Sequence, residues 1–300
     1  MKTLRRRLQT GCLVGSDAFG DRMKGYEDRG MFEPCLPIIV RIDGKSFHTY
    51  TRGFDRPYDK WMSAAMWATT KFLVEQTCAR IGFTQSDEIT LILYSDDPKS
   101  QVFFDGKVQK IVSVSAAMAS VRFNQLMSGR RNRVQLSAYF DSRAYTVPDK
   151  GEASNVLLWR EMDAVRNSVS MMAHHHFGHS ALKKKSVPEM KAMLSSIGKP
   201  WEDAPASFTH GTHYVRREVE RPLTEDDLAR IPEQFHPPAG TLVKRNVVER
   251  VDEMPKGIGE RVALIFGDTS EDNWLKQEFR RASERSAQVP PHARPVRIKP

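Results

Sequence analysis

The sequence is poor in cysteine: Cys12, Cys35 and Cys78 are the 3 among 300 residues, far apart and odd in number. That excludes a disulfide framework and a cysteine-built zinc cluster, and makes a reducing cytoplasm the expected setting. No apolar run approaches the roughly 18 residues a spanning helix needs, so no membrane partner is expected. The start, Leu4-Arg5-Arg6-Arg7-Leu8, is basic like a targeting peptide but has no apolar stretch behind it, and export is not expected. Familiar nucleotide loops are missing too. There is no GxGxxG, and Gly44-Lys45-Ser46 is not a Walker A loop, because Ile39 stands where its first glycine must be. Acidic residues are the scarcer charge, 37 against 46 basic, and the net charge of +9 favours an anionic partner that releases counterions on binding.

What is present suits a globular enzyme: 40% hydrophobic and 28% charged residues, in a chain long enough for one large domain or two modest ones. Leu36 to Ile42 reads as a buried strand ending at the turn Asp43-Gly44. Asp59 caps a helix from Lys60 to about Arg80, with Met62, Met66, Leu73 and Ile81 in its apolar stripe. Gly82 to Gln85 and Glu88 to Tyr94 form a hairpin with Ser86-Asp87 at its tip, closed by Asp96-Asp97-Pro98. Ile111 to Met127 is a second helix. Val134 to Phe140 and Ala144 to Val147 read as strands broken by Asp141-Ser142-Arg143, and Asn155 to Phe177 and Val187 to Ile197 as further helices. This order suits an α+β fold, an antiparallel sheet with helices on one face.

Composition shifts toward Pro, His and charge after Pro200. The expected organisation is an N-terminal extension (1–30), a main domain with following helices (31–200), a helical and basic C-terminal region (201–275) and a basic flexible tail (276–300), to which the resemblance given below adds a catalytic role for the main domain and RNA contact for the C-terminal region. Two segments echo one another there: Gly211-Thr212-His213-Tyr214-Val215-Arg216-Arg217 and Gly240-Thr241-Leu242-Val243-Lys244-Arg245. They read as two basic strands facing one surface.

Asp43 at a strand end and Asp87 at a neighbouring hairpin tip carry the chemistry. Strand ends at one edge of a sheet converge, so two carboxylates there can share two Mg²⁺ ions, hard cations that take oxygen ligands and substrate phosphates. Such a pair serves attack on a triphosphate: one ion acidifies the attacking hydroxyl while the other holds the leaving pyrophosphate. Gly44 lets its carbonyl approach the ion unobstructed. Without a P-loop, the triphosphate falls to Lys45, Ser46, His48, Arg56, Lys107 and Lys110. The plainer alternative, an Asp-Gly turn and a solvated hairpin tip, stays open at this level. His175 and His179 stand one turn apart on a helix, but no Glu lies between them as in HExxH, and a polar face or an RNA contact is expected of the cluster His174, His175, His176 and His179.

Arg41-Ile42-Asp43-Gly44-Lys45-Ser46-Phe47-His48 resembles the RxDGxxFHxF motif of the tRNA-His guanylyltransferase family and its relatives that add nucleotides in the 3′-to-5′ direction, with Tyr50 at the last aromatic. Gln85-Ser86-Asp87-Glu88 is similar to the family's QSDE, Phe140-Asp141-Ser142-Arg143 to its FDGR, and Trp159-Arg160 with Asp163 to its WRxxD. The match runs over about residues 36 to 170. It implies a palm-like polymerase domain in which Asp43, the Gly44 carbonyl and Asp87 hold two Mg²⁺ ions. Asp43, Gly44, Lys45, Ser46, Phe47 and His48, with Ser86 and Asp87, would bind nucleotide. ATP and GTP would be substrates and tRNA or a similar RNA the partner, handled by a homo-tetramer. In the family, a 5′ end is activated with a nucleoside triphosphate, and the 3′-hydroxyl of an incoming nucleotide then displaces pyrophosphate. Arg56, in Phe54-Asp55-Arg56-Pro57 where Lys is usual, and Lys110 match the two basic residues that assist activation.

Enzymes dedicated to tRNA-His carry His-Ile-Asn-Asn where this chain has Val165-Arg166-Asn167-Ser168. The expectation is therefore a relative that extends or repairs RNA 5′ ends against a template, with a dedicated tRNA-His enzyme as the alternative. A palm-fold nucleotide cyclase is disfavoured by the lack of a GGDEF-type hairpin, and a non-catalytic RNA-binding protein by retention of Asp43 and Asp87. Lys107, Arg160, Asn167, Arg216, Arg217, Lys244 and Arg245 are the expected RNA contacts.

Overall fold

The computed structural model describes residues 16–130, 136–238 and 240–267. The expected tail, 276–300, lies outside the described residues, as does the first half of the extension, 1–15. Helix α1 (Ser16–Lys24) precedes strand β1 (Ile38–Gly44), and α2 (Phe47–Tyr50) follows it. Asp59 caps α3 (Lys60–Thr77) as expected, its carboxylate accepting the Met62 N–H at 2.9 Å. The helix stops short of Arg80 because Cys78 turns left-handed at φ 54°. The hairpin is β2 (Ile81–Gln85) and β3 (Glu88–Leu93), with Gln85 opposite Glu88 and Ser86 at φ 56° in the two-residue tip. A 3₁₀ turn, Phe103–Gly106, leads into α4 (Val108–Met127), and β4 (Phe140–Thr146) follows.

The break expected at Asp141-Ser142-Arg143 is absent. These residues lie inside β4, opposite Asp43, Ile42 and Arg41 of β1. β4 is an edge strand, and its outward polar side chains are what made it read as a loop. Residues 136–139, expected as strand, carry none. Helix α5 (Lys150–His176) starts earlier than Asn155 because the Asp149 carboxylate caps it, accepting the Glu152 N–H at 2.8 Å. Its end at His176 leaves His179 to a separate turn, α6 (His179–Leu182), so His175 and His179 do not share a helix. Next come α7 (Val187–Ser196), α8 (Ala206–Thr209), β5 (Thr212–Pro222), α9 (Glu225–Leu228), β6 (Leu242–Val251) and α10 (Ile258–Phe266).

The six strands form one antiparallel sheet in the order β4-β1-β3-β2-β5-β6. The α+β class and the antiparallel sheet hold, but helices cover both faces rather than one. Ile38, Val40 and Ile42 of β1 join the core under α3 and α4, whereas Ile39 joins Leu157 and Ala164 of α5 and Val262 and Ile265 of α10. A strand buried on both sides needs apolar residues without alternation, which is why this run is continuous. The shift in composition near residue 200 divides nothing in the sheet, because Thr212 to Val215 pair with β2. The shift marks instead the exposed ribbon that β5 and β6 form beyond Val215. The two echoing segments lie on strands that pair there, but they do not stand opposite each other and do not make one basic surface. Arg217 lies opposite Val247 and Arg245 opposite Val219, whereas Arg216 faces Val248 and Lys244 faces Glu220. Neighbouring side chains on a strand point to opposite faces, so Arg217 and Arg245 share one side and Arg216 and Lys244 the other.

The second layer is tied by a buried ionic group. Glu161 of α5 accepts two bonds from Arg261 of α10, at 2.8 and 2.7 Å, and contacts His213 Nε2 of β5 at 3.1 Å. Burial pushes this carboxyl up, but Arg261 and His213 together outweigh it and hold it at about 2. Its contribution to stability is full above the ordinary carboxylate range and disappears as pH falls toward that value. Glu161→Gln should therefore cost about 3 kcal/mol at neutral pH. Urea melts should show this gap closing between about pH 5 and about pH 2; a gap indifferent to pH rules out the ionic account.

Candidate active site

The end of β1 and the β2–β3 tip open on one cavity of about 490 Å³. Asp43, Gly44, Ser46, Phe47 and His48 line it from the first, and Thr84, Gln85, Ser86 and Asp87 from the second. Arg56 reaches it from the loop before α3, and Met62, Met66, Met171 and Phe208 give it an apolar floor. Lys45 is exposed and does not line it; its N–H is bound to the Tyr139 carbonyl at 2.8 Å.

The strand-end loop is shaped by one ring. Phe47 is buried among Tyr50, Phe123 and Phe140, with centroids 5.1, 5.6 and 5.0 Å away. A Cβ on Gly44 would lie 2.3 Å from that ring, so only glycine lets the chain fold Phe47 back beneath the strand end. Ser46 takes φ 56° to make the reversal. Tyr50 completes the aromatic cluster, which explains its place in the motif.

Asp43 stands opposite Glu88 on β3 and Asp141 on β4. Burial pushes the Asp87 carboxyl up to about 6, helped by the negative charges of Asp43 and Glu88 and opposed by a 3.0 Å bond from Ser86. Among the described residues no three His, Cys, Asp or Glu side chains gather as a metal group. Two carboxylates and the Gly44 carbonyl nevertheless fit a hard divalent cation completed by water and phosphate oxygens, and such a charge relieves the repulsion at Asp87.

The Arg56 loop is held by a residue that sequence reading treats only as a helix cap. Besides the Met62 bond, buried Asp59 accepts the Asp55 N–H at 3.2 Å and a short bond from Arg130. Nothing in the sequence signals that Arg130, some seventy residues on, closes this clamp. The floor was likewise hidden, because Met171 and Phe208 come from helices remote in sequence.

Three expected site residues lie elsewhere. Lys107 and Lys110 line a separate depression of about 460 Å³ with Thr77, Cys78 and Phe104, at the other end of α3. At 1.5 Å per residue, the 18-residue α3 puts roughly 27 Å between its ends, so one chain does not unite Lys110 with Arg56. Arg160 is 3% exposed and paired with Glu88 and Asp163, which removes it from RNA and makes it the counter-charge beside the hairpin tip. Asn167 is exposed. On the β5–β6 ribbon Lys244 is 3.1 Å from Glu218, Arg217 is 3.9 Å from Glu249 and Arg245 is 4.0 Å from Asp227, so most of that charge is matched internally. The histidines meet in pairs, His174 stacked on His179 and His175 edge to face with His176. No described helix is long and apolar enough to cross a membrane.

Known proteins resemble this arrangement. A sequence profile described as tRNAHis guanylyltransferase matches residues 20–148. An uncharacterised protein of Acanthamoeba polyphaga mimivirus is 35% identical over 222 residues, 65% of this chain and 76% of its own length. A bacterial tRNA(His) guanylyltransferase-like protein solved in complex with ATP is 31% identical, with a TM-score of 0.67 over 83% of this chain and 99% of its own. A bacterial structure of the same description in complex with GTP is 29% identical, with a TM-score of 0.61 over 91% of this chain and 100% of its own.

In metal-free buffer the raised Asp87 favours the fold only when protonated, below its ordinary range, and the advantage is lost as pH rises through about 6. Asp87→Asn should therefore melt higher than wild type at about pH 8 in EDTA, and the difference should vanish near about pH 4. Adding Mg²⁺ should raise the wild-type melting temperature and leave the variant unmoved. A variant stabilised by Mg²⁺ as strongly as wild type removes Asp87 from the ligand set.

Proposed function

This chain belongs to the tRNA(His) guanylyltransferase family and is a nucleotidyltransferase, and from that premise we propose that it is Mg²⁺-dependent and adds nucleotides to the 5′ end of tRNA or a similar RNA, in the 3′-to-5′ direction and chosen by a template. The observation that carries the choice of template over guanine recognition is the way the two ends of the segment Val165 to Ser168 on α5 are taken up by packing. Val165 packs against the cluster of Val169, Trp201 and Phe208. Ser168 is fully buried, accepting the Trp201 indole N–H at 3.0 Å and donating to the Thr209 carbonyl at 3.2 Å. Arg166 is paired with Asp163 and Asn167 is exposed, so these two are the polar side chains of the four that face solvent. Strong discrimination for one base needs several polar partners aimed at it. Base pairing with the opposite strand then selects the nucleotide, while the protein supplies backbone contacts and charge.

In this reading the loop from Asp43 to His48, with Ser86 and Asp87, holds the nucleoside triphosphate, and Arg56 contacts its phosphates. Asp43, the Gly44 carbonyl and Asp87 would hold Mg²⁺, which when bound polarises phosphoryl oxygens and acidifies a coordinated hydroxyl. The apolar floor receives the base without reading it. A bare 5′-monophosphate lacks a good leaving group, so it is first joined to a nucleotide with loss of pyrophosphate; the group that the incoming 3′-hydroxyl then displaces is the activating mononucleotide, and not the pyrophosphate of the general scheme given for the family. The ATP and GTP bound in the bacterial relatives are in line with this substrate pair. The separation of Lys110 from Arg56 favours a homo-oligomer in which a second copy brings the second cation. The free surface thiols of Cys35 and Cys78 suit a reducing cytoplasm.

Incubation with 5′-monophosphorylated, 5′-truncated tRNAs that differ only at the template base, with ATP and labelled GTP or CTP, tests the proposal. C opposite G should be added about as fast as G opposite C, and G opposite A poorly. A clear preference for G opposite A overturns the templated reading and restores dedicated tRNA-His addition.

A further inference from the structure

Besides the nucleotide cavity, Asp43 borders a narrow crevice, too tight to hold a ligand itself, that is lined also by Arg41, Glu88 and Arg143. Arg41 and Arg143 are cross-strand partners two positions along β1 from the carboxylate, so their side chains share its face of the sheet. Above them lies Trp159 of α5. Its ring is 5.0 Å from the Arg41 guanidinium and 4.5 Å from that of Arg160, and the residue is 43% exposed. Leu158 at 37% and Met162 at 58% exposed adjoin it, one position before and one turn after on the same helix.

This patch is unusual for a surface. α5 already buries Leu157, Arg160 and Ala164 on its inner side, so Trp159, Leu158 and Met162 add nothing to the core. The patch nevertheless keeps an indole and a guanidinium in contact beside the proposed reaction centre. Both are flat groups on which nucleobases stack without regard to sequence. Arg143 is 65% exposed and meets one carboxylate, Asp141 at 3.3 Å, which leaves most of its five N–H donors for a phosphate. An apolar partner protein would use the Leu and Met but not the Arg143 fork.

We infer that Trp159, with Arg41 and Arg143, is the docking surface for the nucleotide-accepting end of the RNA: its terminal base stacks on the Trp159–Arg41 pair and an adjoining phosphate binds Arg143. The inference rests on the proposed function and deepens it, since it separates the place of the RNA end from that of the triphosphate, with Asp43 between them. Stacking carries no base code, as templated addition requires.

The test uses a 5′-truncated tRNA carrying 2-aminopurine at its terminal position, and a fluorescein-labelled copy for anisotropy. Wild type should quench the 2-aminopurine on binding. W159A should abolish the quenching and weaken binding about ten-fold, W159F should restore most of both, and R143E should weaken binding with a smaller loss of quenching. ATP binding and melting temperature should match wild type in all three. Equal quenching and affinity in wild type, W159A and R143E overturn the inference. So does a fall in oligomer mass of W159A by light scattering with RNA binding intact, which would make the patch an interface between copies of the chain. A wild-type protein that stacks the RNA end on Trp159 yet adds no nucleotide leaves the surface standing and removes the function. Nucleotide addition with normal RNA binding in the variants does the reverse.

Discussion

The constraint on which this structure turns is electrostatic: the antiparallel register concentrates carboxylates at one end of the sheet. Asp141, Asp43 and Glu88 stand in a row across β4, β1 and β3, and Asp87 follows at the hairpin tip. Like charges directly opposite on neighbouring strands repel, so the row persists only with counter-charges built around it. Arg160 neutralises Glu88 from beneath and Arg143 sits 3.3 Å from Asp141. Among the described residues neither Asp43 nor Asp87 has an ion-pair partner, and these are the two whose charge a substrate-borne cation would meet. The arginines thus sort four carboxylates into two that are structural and two that are available.

Helix α5 does much of this sorting. Its inner side packs the second core, its Arg160 holds the hairpin end and its Glu161 locks α10 and β5. Its Ser168 binds Trp201, and its Met171 reaches the cavity floor. A helix with so many fixed contacts has little freedom to rotate. The cavity and the exposed Trp159 are therefore held in a constant relation by one rigid element.

Local features were legible in the sequence because they depend on neighbours in the chain. The cap at Asp59, the hairpin around Ser86-Asp87 and the strand end at Asp43 are each set by a few adjacent residues, and each stands where periodicity and turn chemistry put it. The unbroken apolar run of β1 belongs to a strand covered on both faces, although the order of elements reads as a sheet with helices on one face. Distant matters were not legible. Polar residues in β4 read as a loop because edge position is a property of the whole sheet. Arg160 read as an RNA contact because the charge that buries it, Glu88, is seventy-two positions away. Arg216, Arg217, Lys244 and Arg245 read as one surface because composition counts charges without counting faces. For the site, the carboxylates and their loop were evident, whereas the Asp59–Arg130 clamp and the methionine floor arise only from folding.

The hydrogen bonds of Ser168 have a consequence for how one mode of nucleotide choice turns into another. A hydroxyl at that position joins α5 to Trp201 and to the Thr209 carbonyl in a space with no measurable exposure. An asparagine there would be larger than its slot and would have to accept the indole N–H and donate to the Thr209 carbonyl from a longer side chain, so the neighbouring side chains would have to be resized in concert. On the templated reading proposed above, bringing the family's His-Ile-Asn-Asn into this scaffold is therefore a repacking of its interior at Ser168 and not a change of surface letters, and variants made one residue at a time would pass through poorly packed intermediates.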